Sequence, residues 1–404
     1  MKKIVSLFVL MMFAAVFCMQ SFAEVAVDPG YDYDRFRGQD ITLNVYNWGE
    51  YISDGEDGSM DVIQEFEDLT GIKVNYTTYD TNETMYAKIR SGGGDYDVII
   101  PSDYMIGKMA NEGLLEELNM ENIPNFKYII DSCKSRPYDP DNKYSVAYTW
   151  GVVGIVYNTT KVDAADLEQG WGILWDEDYA GQILMFNNSR DAFAIALKLQ
   201  GRSLNPSTVE EVEEAAELLK EQKPVVQSYV MDEVFDKMIG GEAALAPYYA
   251  GDGITMSQDN PDLSMFIPAE GTNQYIDGMC IPKGSKNKEA AEMFINFMCE
   301  TEVALANTEY ICYASPHSEV KSLLPAELSE NELMYPSEEI LEKSETMVVL
   351  SDEINSAMDT AWSDVRSYDS SENAWLMPVL VIAMLALAIG GFVRAAIRKR
   401  HREY

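Results

Sequence analysis

Histidine is almost absent from this chain: only His317 and His401 occur among 404 residues. A histidine-based zinc site or a Ser-His-Asp triad would therefore rest on His317 alone. Cysteine is sparse too. Cys18 lies in an N-terminal apolar run, which leaves Cys133, Cys280, Cys299 and Cys312. These are too few for a disulfide scaffold and lack metal-ligand spacing, although an exported chain could pair some of them. Basic residues are also few, with 30 Lys and Arg against 67 Asp and Glu and a formal net charge of −37. That balance disfavours nucleic acid and other polyanions and draws cations. A phosphate-cradling loop is missing as well. Gly92–Gly94 precedes a strand instead of joining a strand to a helix, and no Lys-Ser/Thr follows. It reads as a turn, and no cofactor is assigned.

What is present begins with two apolar ends. Lys2 and Lys3, the run Ile4–Phe17 and the small residues Ser21 and Ala23 describe a secretory signal over 1–23. Cys18 sits where a lipoprotein cysteine would, but Phe17 is larger than the small residue usual before one. At the other end, 375–393 carries no charge and is long enough to cross a bilayer. The basic tail 394–404 follows at once, which places Tyr404 in the cytoplasm and the bulk of the chain outside a single-pass cell-membrane anchor. A buried core helix is the alternative, and the absence of a polar face argues against it. With leader and tail set aside, 23 basic residues face 66 acidic ones. Screening beyond about 8 Å means that such charge cannot select a ligand by itself. Solubility or an acidic cell-surface habit explains most of the acidity.

Between the ends, apolar periodicity predicts an alternation of strand and helix. After a linker over 24–40, strands are expected at Ile41–Tyr46, Ile72–Tyr76 and Tyr96–Ile100, with helices at Asp61–Leu69, Glu83–Ser91 and Ser102–Asn111. A second unit starts near Trp150 with a strand at Val152–Tyr157, helices at Ala192–Leu199 and Val209–Gln222, and a strand at Ala243–Tyr248. Met279–Pro282 and Lys286–Cys299 read as a strand and helix returning to the first unit, and Glu338–Arg366 as mostly helical. This order predicts an α/β class with a largely parallel sheet.

The run Tyr46–Tyr51 contains Trp48, Glu50 and Tyr51 directly after a predicted strand. Strand exits of open α/β sheets are where ligand crevices form. Aromatic faces beside a carboxylate suit an organic ammonium, because the ring attracts the cation and the carboxylate accepts its N–H groups. The plainer reading is a packed strand end with an exposed Glu.

Several runs recur together with this one: Thr70–Val74, Asn82–Lys88, Tyr96–Ser102, Tyr148–Gly151, Asn287–Glu289 and Asn296–Phe297. With them, the chain resembles the spermidine/putrescine-binding proteins of bacterial ABC importers over about 41–368. The resemblance implies a two-lobed, periplasmic-binding-protein-like α/β fold with crossing hinge segments, here with a C-terminal transmembrane helix added. Lobe 1 is expected at 41–149 and 276–320, and lobe 2 at 150–275 and 321–370. It implies a polyamine ligand, an ABC permease as partner, monomeric action and no enzymatic activity. Carried over position by position, the ligand residues are Trp48, Glu50, Tyr51, Ser102, Tyr104, Asp191, Tyr248, Tyr275, Asp277 and Tyr313. Tyr248 and Tyr275 stand where the family often has Trp, and Tyr248 and Tyr249 are expected to split between cleft and core. Asn188 replaces an Asp, Met231 replaces a Ser, and the stretch near Met347 replaces a Gln, so the resemblance leaves the rank of spermidine and putrescine open. Trp150, Trp171 and Trp175 are expected to be structural. Three other readings stay open. An amino-acid-like solute would need Arg190 for its carboxylate, a secreted hydrolase would pair Glu50 with Asp277, and a surface sensor would signal through a tail that has no room for a domain.

Overall fold

The computed structural model describes residues 25–368. The leader, Cys18, the span 375–393 and the basic tail lie outside the described residues. Among the described residues no helix is long and apolar enough to cross a membrane.

The first half repeats strand and helix. Strand β1 is Thr42–Trp48, with Leu43 and Val45 buried. Helix α1, Val62–Thr70, is capped by Asp61, whose carboxylate accepts from the Gln64 N–H at 2.9 Å. It ends at Gly71, which takes φ 75°, a left-handed conformation that a side chain would strain. Strand β2 (Lys73–Tyr79) lies parallel to β1, and α2 (Asn82–Arg90) is opened by a Thr81–Thr84 capping box. The short strand β3 (Val98–Ile99) and helix α3 (Asp103–Asn111) follow, with Ser102 at the N-cap position. β3 is shorter than expected. Beside it, Asp97 donates its backbone N–H to the Asn44 carbonyl at 2.8 Å while its carboxylate accepts from the Asn44 N–H and the Ser285 hydroxyl.

Strand β4, Ser145–Asn158, is more than twice as long as predicted and joins the two halves. The second half holds β5 (Ile183–Phe186), α4 (Ser189–Leu199), α5 (Val209–Gln222), β6 (Val226–Val230), α6 (Glu233–Ile239), β7 (Leu245–Tyr249), α7 (Ala250–Asp259) and β8 (Leu263–Phe266). A capping box between Thr208 and Glu211 opens α5. Strand β9, Gln274–Cys280, starts earlier than expected. It runs antiparallel to β4 from Val152 to Ser145 and ends against Ile99 of β3.

The strand order is β2-β1-β3-β9-β4-β7-β5-β6, with β8 on β4. The parallel pairs β1/β2, β1/β3, β5/β6 and β5/β7 sit at the flanks, and the antiparallel β4/β9 pair forms the seam. The expected crossover points near 149/150 and 275/276 fall inside that seam, where Thr149 pairs with Asp277 and Trp150 with Ile276. Trp150 also donates its backbone N–H to the Ala314 carbonyl at 3.0 Å, which adds a third segment to the crossing.

Helices α8 (Lys288–Met298) and α9 (Thr301–Ile311) return to the first half. Phe66 of α1 packs edge-on against Phe294 at 5.1 Å and tilted against Phe297 at 5.3 Å. The stretch expected as a linker is packed as well: Tyr33 is buried edge-on against Phe297, and its hydroxyl donates to Glu300 at 2.7 Å. The predicted long helix over 338–366 is two helices, Glu338–Lys343 and Asp352–Ser367. Between them the chain is extended, because Glu345 exchanges backbone hydrogen bonds with Thr272 and Gln274. Ser351 then caps the last helix.

Phe66 has no exposed surface and fills the contact between α1 and α8. Phe66→Ala is expected to lower the unfolding free energy by about 3–5 kcal/mol, the usual cost of deleting a buried ring. Urea denaturation measures it, and a loss below about 1 kcal/mol would contradict this packing.

Candidate functional site

Strands β1, β3 and β7 release their carboxyl ends beside the β4/β9 seam, the position at which open α/β sheets hold ligands. A cavity lies there. Trp48 stands at one wall. Its indole N–H donates to the Ile100 carbonyl at 2.9 Å and its ring tilts on Tyr79 at 4.6 Å, so the ring is pinned. Asp277 projects from the seam. The Tyr51 hydroxyl donates to its Oδ2 at 2.6 Å and also pairs with the Thr149 hydroxyl. The other oxygen, Oδ1, is buried and meets no donor in full hydrogen-bond geometry among the described residues, although the Ser102 side chain is near enough to favour the charged carboxylate. A buried acceptor without a donor is costly, so it is a strong place for an ammonium N–H. Ser102 sits beside Asp277 at the end of β3, held through Asn82, whose Nδ2 donates to its hydroxyl at 3.1 Å.

Tyr275 continues the wall, with Tyr249 on one side at 5.4 Å and Tyr313 on the other at 6.3 Å between ring centroids. Each flanking hydroxyl holds a carboxylate: Tyr249 donates to Asp191 at 2.9 Å and Tyr313 to Asp252 at 2.8 Å. Asp191 lies in the first turn of α4 and also accepts from Asn188 at 2.7 Å. The Asp that Asn188 replaces is thus not substituted by an open contact: Asn188 caps α4 and orients Asp191. Tyr248 is buried, stacked on Phe186 at 5.5 Å.

Five carboxylates, those of Asp103, Asp191, Asp232, Asp252 and Asp277, line this cavity, and no Lys, Arg or His lines it among the described residues. Burial pushes the Asp277 carboxyl up to about 6, against the Tyr51 and Ser102 side chains, which pull it down. Burial likewise lifts Asp191 to about 6, opposed first by the Tyr249 hydroxyl. Asp103 and Asp252 are held well above the carboxylate range by burial. Asp232 is raised by partial desolvation and then by the charges of Asp80 and Glu50, although it stands exposed at the cavity mouth. Burial thus favours the neutral forms of these carboxyls, and an incoming cation would favour the charged ones. The charge of buried Arg190 reaches Asp191 and Asp103, but its side chain does not line the cavity. Its guanidinium lies over the Tyr104 ring at 4.6 Å and donates to the Val348 carbonyl at 3.2 Å. Tyr104 lines the cavity with that ring face already occupied, and its hydroxyl donates to Glu83 at 2.9 Å.

Nine of the ten sequence-predicted site residues line the cavity, and Glu50 does not. Glu50 adopts φ 46° in the turn after β1, is exposed, and lines an outer groove with Asp54, Asp61 and Glu67. The Glu50–Asp277 pair that a hydrolase would use is consequently not on one wall. Tyr248 and Tyr249 both reach the cavity, so the expected split between cleft and core is not seen. Trp171 and Trp175 are structural, donating their indole N–H groups to the carbonyls of Gly271 and Leu218. Cys133, Cys280, Cys299 and Cys312 are free and buried. Sequence reasoning missed Asp103, Asp252, Asn273 and Met347 as lining residues. Asp252 did carry a signal. It is flanked by Gly251 and Gly253, and a Cβ at Gly251 would fall 2.1 Å from the Tyr313 ring, so the small neighbour is what lets that ring close on the site. Met347 lies in the stretch that the resemblance sets against a Gln, although apolar periodicity predicted a helix there. Among the described residues no group of His, Cys, Asp or Glu could hold a metal ion.

Residues 61–336 match the family model of the bacterial extracellular solute-binding protein. The chain belongs to that family. Its members bind solutes and are not enzymes, and the fold is the α/β periplasmic-binding-protein fold. This binding protein is 34% identical over 305 residues to the spermidine/putrescine-binding periplasmic protein of Salmonella typhimurium, which covers 75% of this chain and 86% of that one. It is 27% identical over 344 residues to a putrescine-binding periplasmic protein of Escherichia coli, covering 81% and 91%. Among solved structures, it is similar to the spermidine/putrescine ABC transporter substrate-binding protein of Streptococcus pneumoniae, with TM-score 0.68, 36% identity and coverage of 81% and 98%.

The raised Asp277 carboxyl makes a signed prediction. An unfolded Asp titrates near about 3.9, whereas the folded one titrates near about 6. The folded state thus holds this proton more tightly. The resulting stability is fully present below pH about 4 and is lost as pH rises through about 6. Asp277→Asn cannot ionise. Relative to the parent, its ligand-free melting temperature is expected to be higher by a larger margin at pH about 7 than at pH about 4. A margin independent of pH would show that Asp277 titrates as an ordinary carboxyl.

Proposed function

We propose that this binding protein is the polyamine receptor of an ABC importer, capturing spermidine or putrescine outside the cell and passing it to a membrane permease. The observation that carries the reading is the buried Oδ1 of Asp277, which meets no donor in full hydrogen-bond geometry among the described residues, set among tyrosine rings in a cavity that no Lys or Arg lines among them. The spermidine/putrescine names of the relatives support the same ligand class. Polyamine nitrogens titrate near the lysine value of about 10.4, so they arrive charged at neutral pH. Carboxylates can take the charged nitrogens while Trp48, Tyr51, Tyr248, Tyr275 and Tyr313 take the methylenes between them. A desolvated cation–π contact contributes about 2 kcal/mol, whereas a buried charge left unpaired costs about 3–5 kcal/mol. Carboxylate placement therefore sets which polyamine fits, and the rings set overall strength.

In this reading the two halves of the sheet are two lobes, 41–149 with 276–320 and 150–275 with 321–370. They hinge through β4, β9 and the segment at Tyr313–Ala314. Ligand contacts from both lobes favour the closed form, which a monomer presents to the permease. The span 375–393 anchors the receptor in the cell membrane with the binding lobes outside, which raises its effective concentration near the permease. An amino-acid-like ligand is less well served, because the guanidinium its carboxylate would need is stacked on Tyr104 away from the wall.

Two measurements test this. Asp277→Ala is expected to weaken both putrescine and spermidine by at least about tenfold, since charge-assisted contacts contribute about 1.5–3 kcal/mol. Calorimetry on the folded variant reads this, and unchanged affinity for both removes Asp277 from the centre of the site. Separately, protease treatment of intact cells is expected to release the binding lobes and leave the span in the membrane fraction. Recovery of untreated full-length chain in the soluble fraction would rule out the anchor.

A further inference from the structure

The polyamine reading leaves open what tells a triamine from a diamine. The inner cavity and the outer groove meet at a neck formed by Trp48, Gly49, Tyr51 and Asp232, the residues common to both. Three of these belong to the first half of the chain. Asp232 alone comes from the second half, immediately before α6. We propose that Asp232, and not Glu50, reads ligand length, its carboxylate holding the ammonium that spermidine carries beyond the span of putrescine.

Gly49 shows how closely Asp232 approaches. A Cβ at that position would fall 2.3 Å from Asp232 Oδ2. Gly49 does not have a positive φ, so its backbone would accept other residues. Its lack of a side chain is what admits the carboxylate. That carboxylate is under-used. Oδ1 meets the Tyr248 hydroxyl only at 3.4 Å, and Oδ2 accepts no hydrogen bond among the described residues. The charges that reach it are those of Asp80, Glu50 and Glu233, all acidic. No Lys or Arg pairs with it among the described residues, and the pinned Trp48 ring lines the same neck as an apolar wall. Glu50, one residue from Gly49, has its side chain in the outer groove only.

Ligand chemistry supplies the rest. Putrescine carries two ammonium groups joined by a methylene chain, and spermidine adds an aminopropyl arm with a third. The enclosed carboxylates Asp191 and Asp277 serve the first two. An arm extended toward the neck passes Trp48 and Tyr248 and brings its nitrogen to Asp232. Putrescine, held deeper, does not reach it.

The test is titration calorimetry of the full-length chain and its variants with putrescine and with spermidine. Asp232→Asn is expected to weaken spermidine at least about fivefold and to leave putrescine within about twofold, as loss of one charge-assisted contact at a partly solvated site requires. Gly49→Ala, whose methyl displaces the same carboxylate, is expected to shift the two ligands in the same way. Glu50→Gln is expected to leave both within about twofold. Equal losses for both ligands in Asp232→Asn, no loss for either, or a spermidine-selective loss in Glu50→Gln would overturn the assignment while leaving the polyamine reading intact. If the parent chain binds neither amine, the polyamine reading itself falls, and this inference falls with it.

Discussion

A carboxylate kept from water with one oxygen unmatched is the constraint around which the rest of the site is organised. Asp277 sits on β9 opposite Thr149 of β4, so two paired strands fix its backbone. The Tyr51 hydroxyl, arriving from the turn after β1, holds one of its oxygens. Three separate parts of the chain must fold correctly to present a single acceptor. That acceptor is unfavourable until a cation meets it. Tyr275 and Tyr313 do not supply that cation. They exclude water and supply ring faces that favour one.

Much of the architecture could be read from the sequence. The strand–helix alternation at the start is written in the spacing of Leu43, Val45, Val62 and Phe66, all of which prove buried. Helix entries at Val62 and Val209 are set by the caps Asp61 and Thr208. What escaped were features made by distant contacts. β4 runs far past its apolar core because β9 lies alongside it, and nothing local to Ser145 signals that partner. The interval between the last two helices is extended because Thr272 and Gln274 capture Glu345, a long-range contact that outweighs local helix preference.

The site divides in the same manner. Aromatics and acids at strand exits were legible because strand exits are where crevices form. The fate of Glu50 was not, since a left-handed turn rather than residue type decides which way it faces. Asp191 was legible as an acid but not as a member of a triad with Asn188 and Tyr249. Arg190 is instructive in this respect. The fold keeps its side chain out of the cavity lining by stacking the guanidinium on Tyr104 and tying it to the Val348 carbonyl, while its charge still reaches Asp191 and Asp103.

The seam between the halves has a mechanical meaning. On the proposed two-lobe reading, rotation of one half on the other would be a twist about the β4/β9 ladder, with Asp277 and Thr149, which pair across it, near the axis and Asp191 and Asp232 away from it.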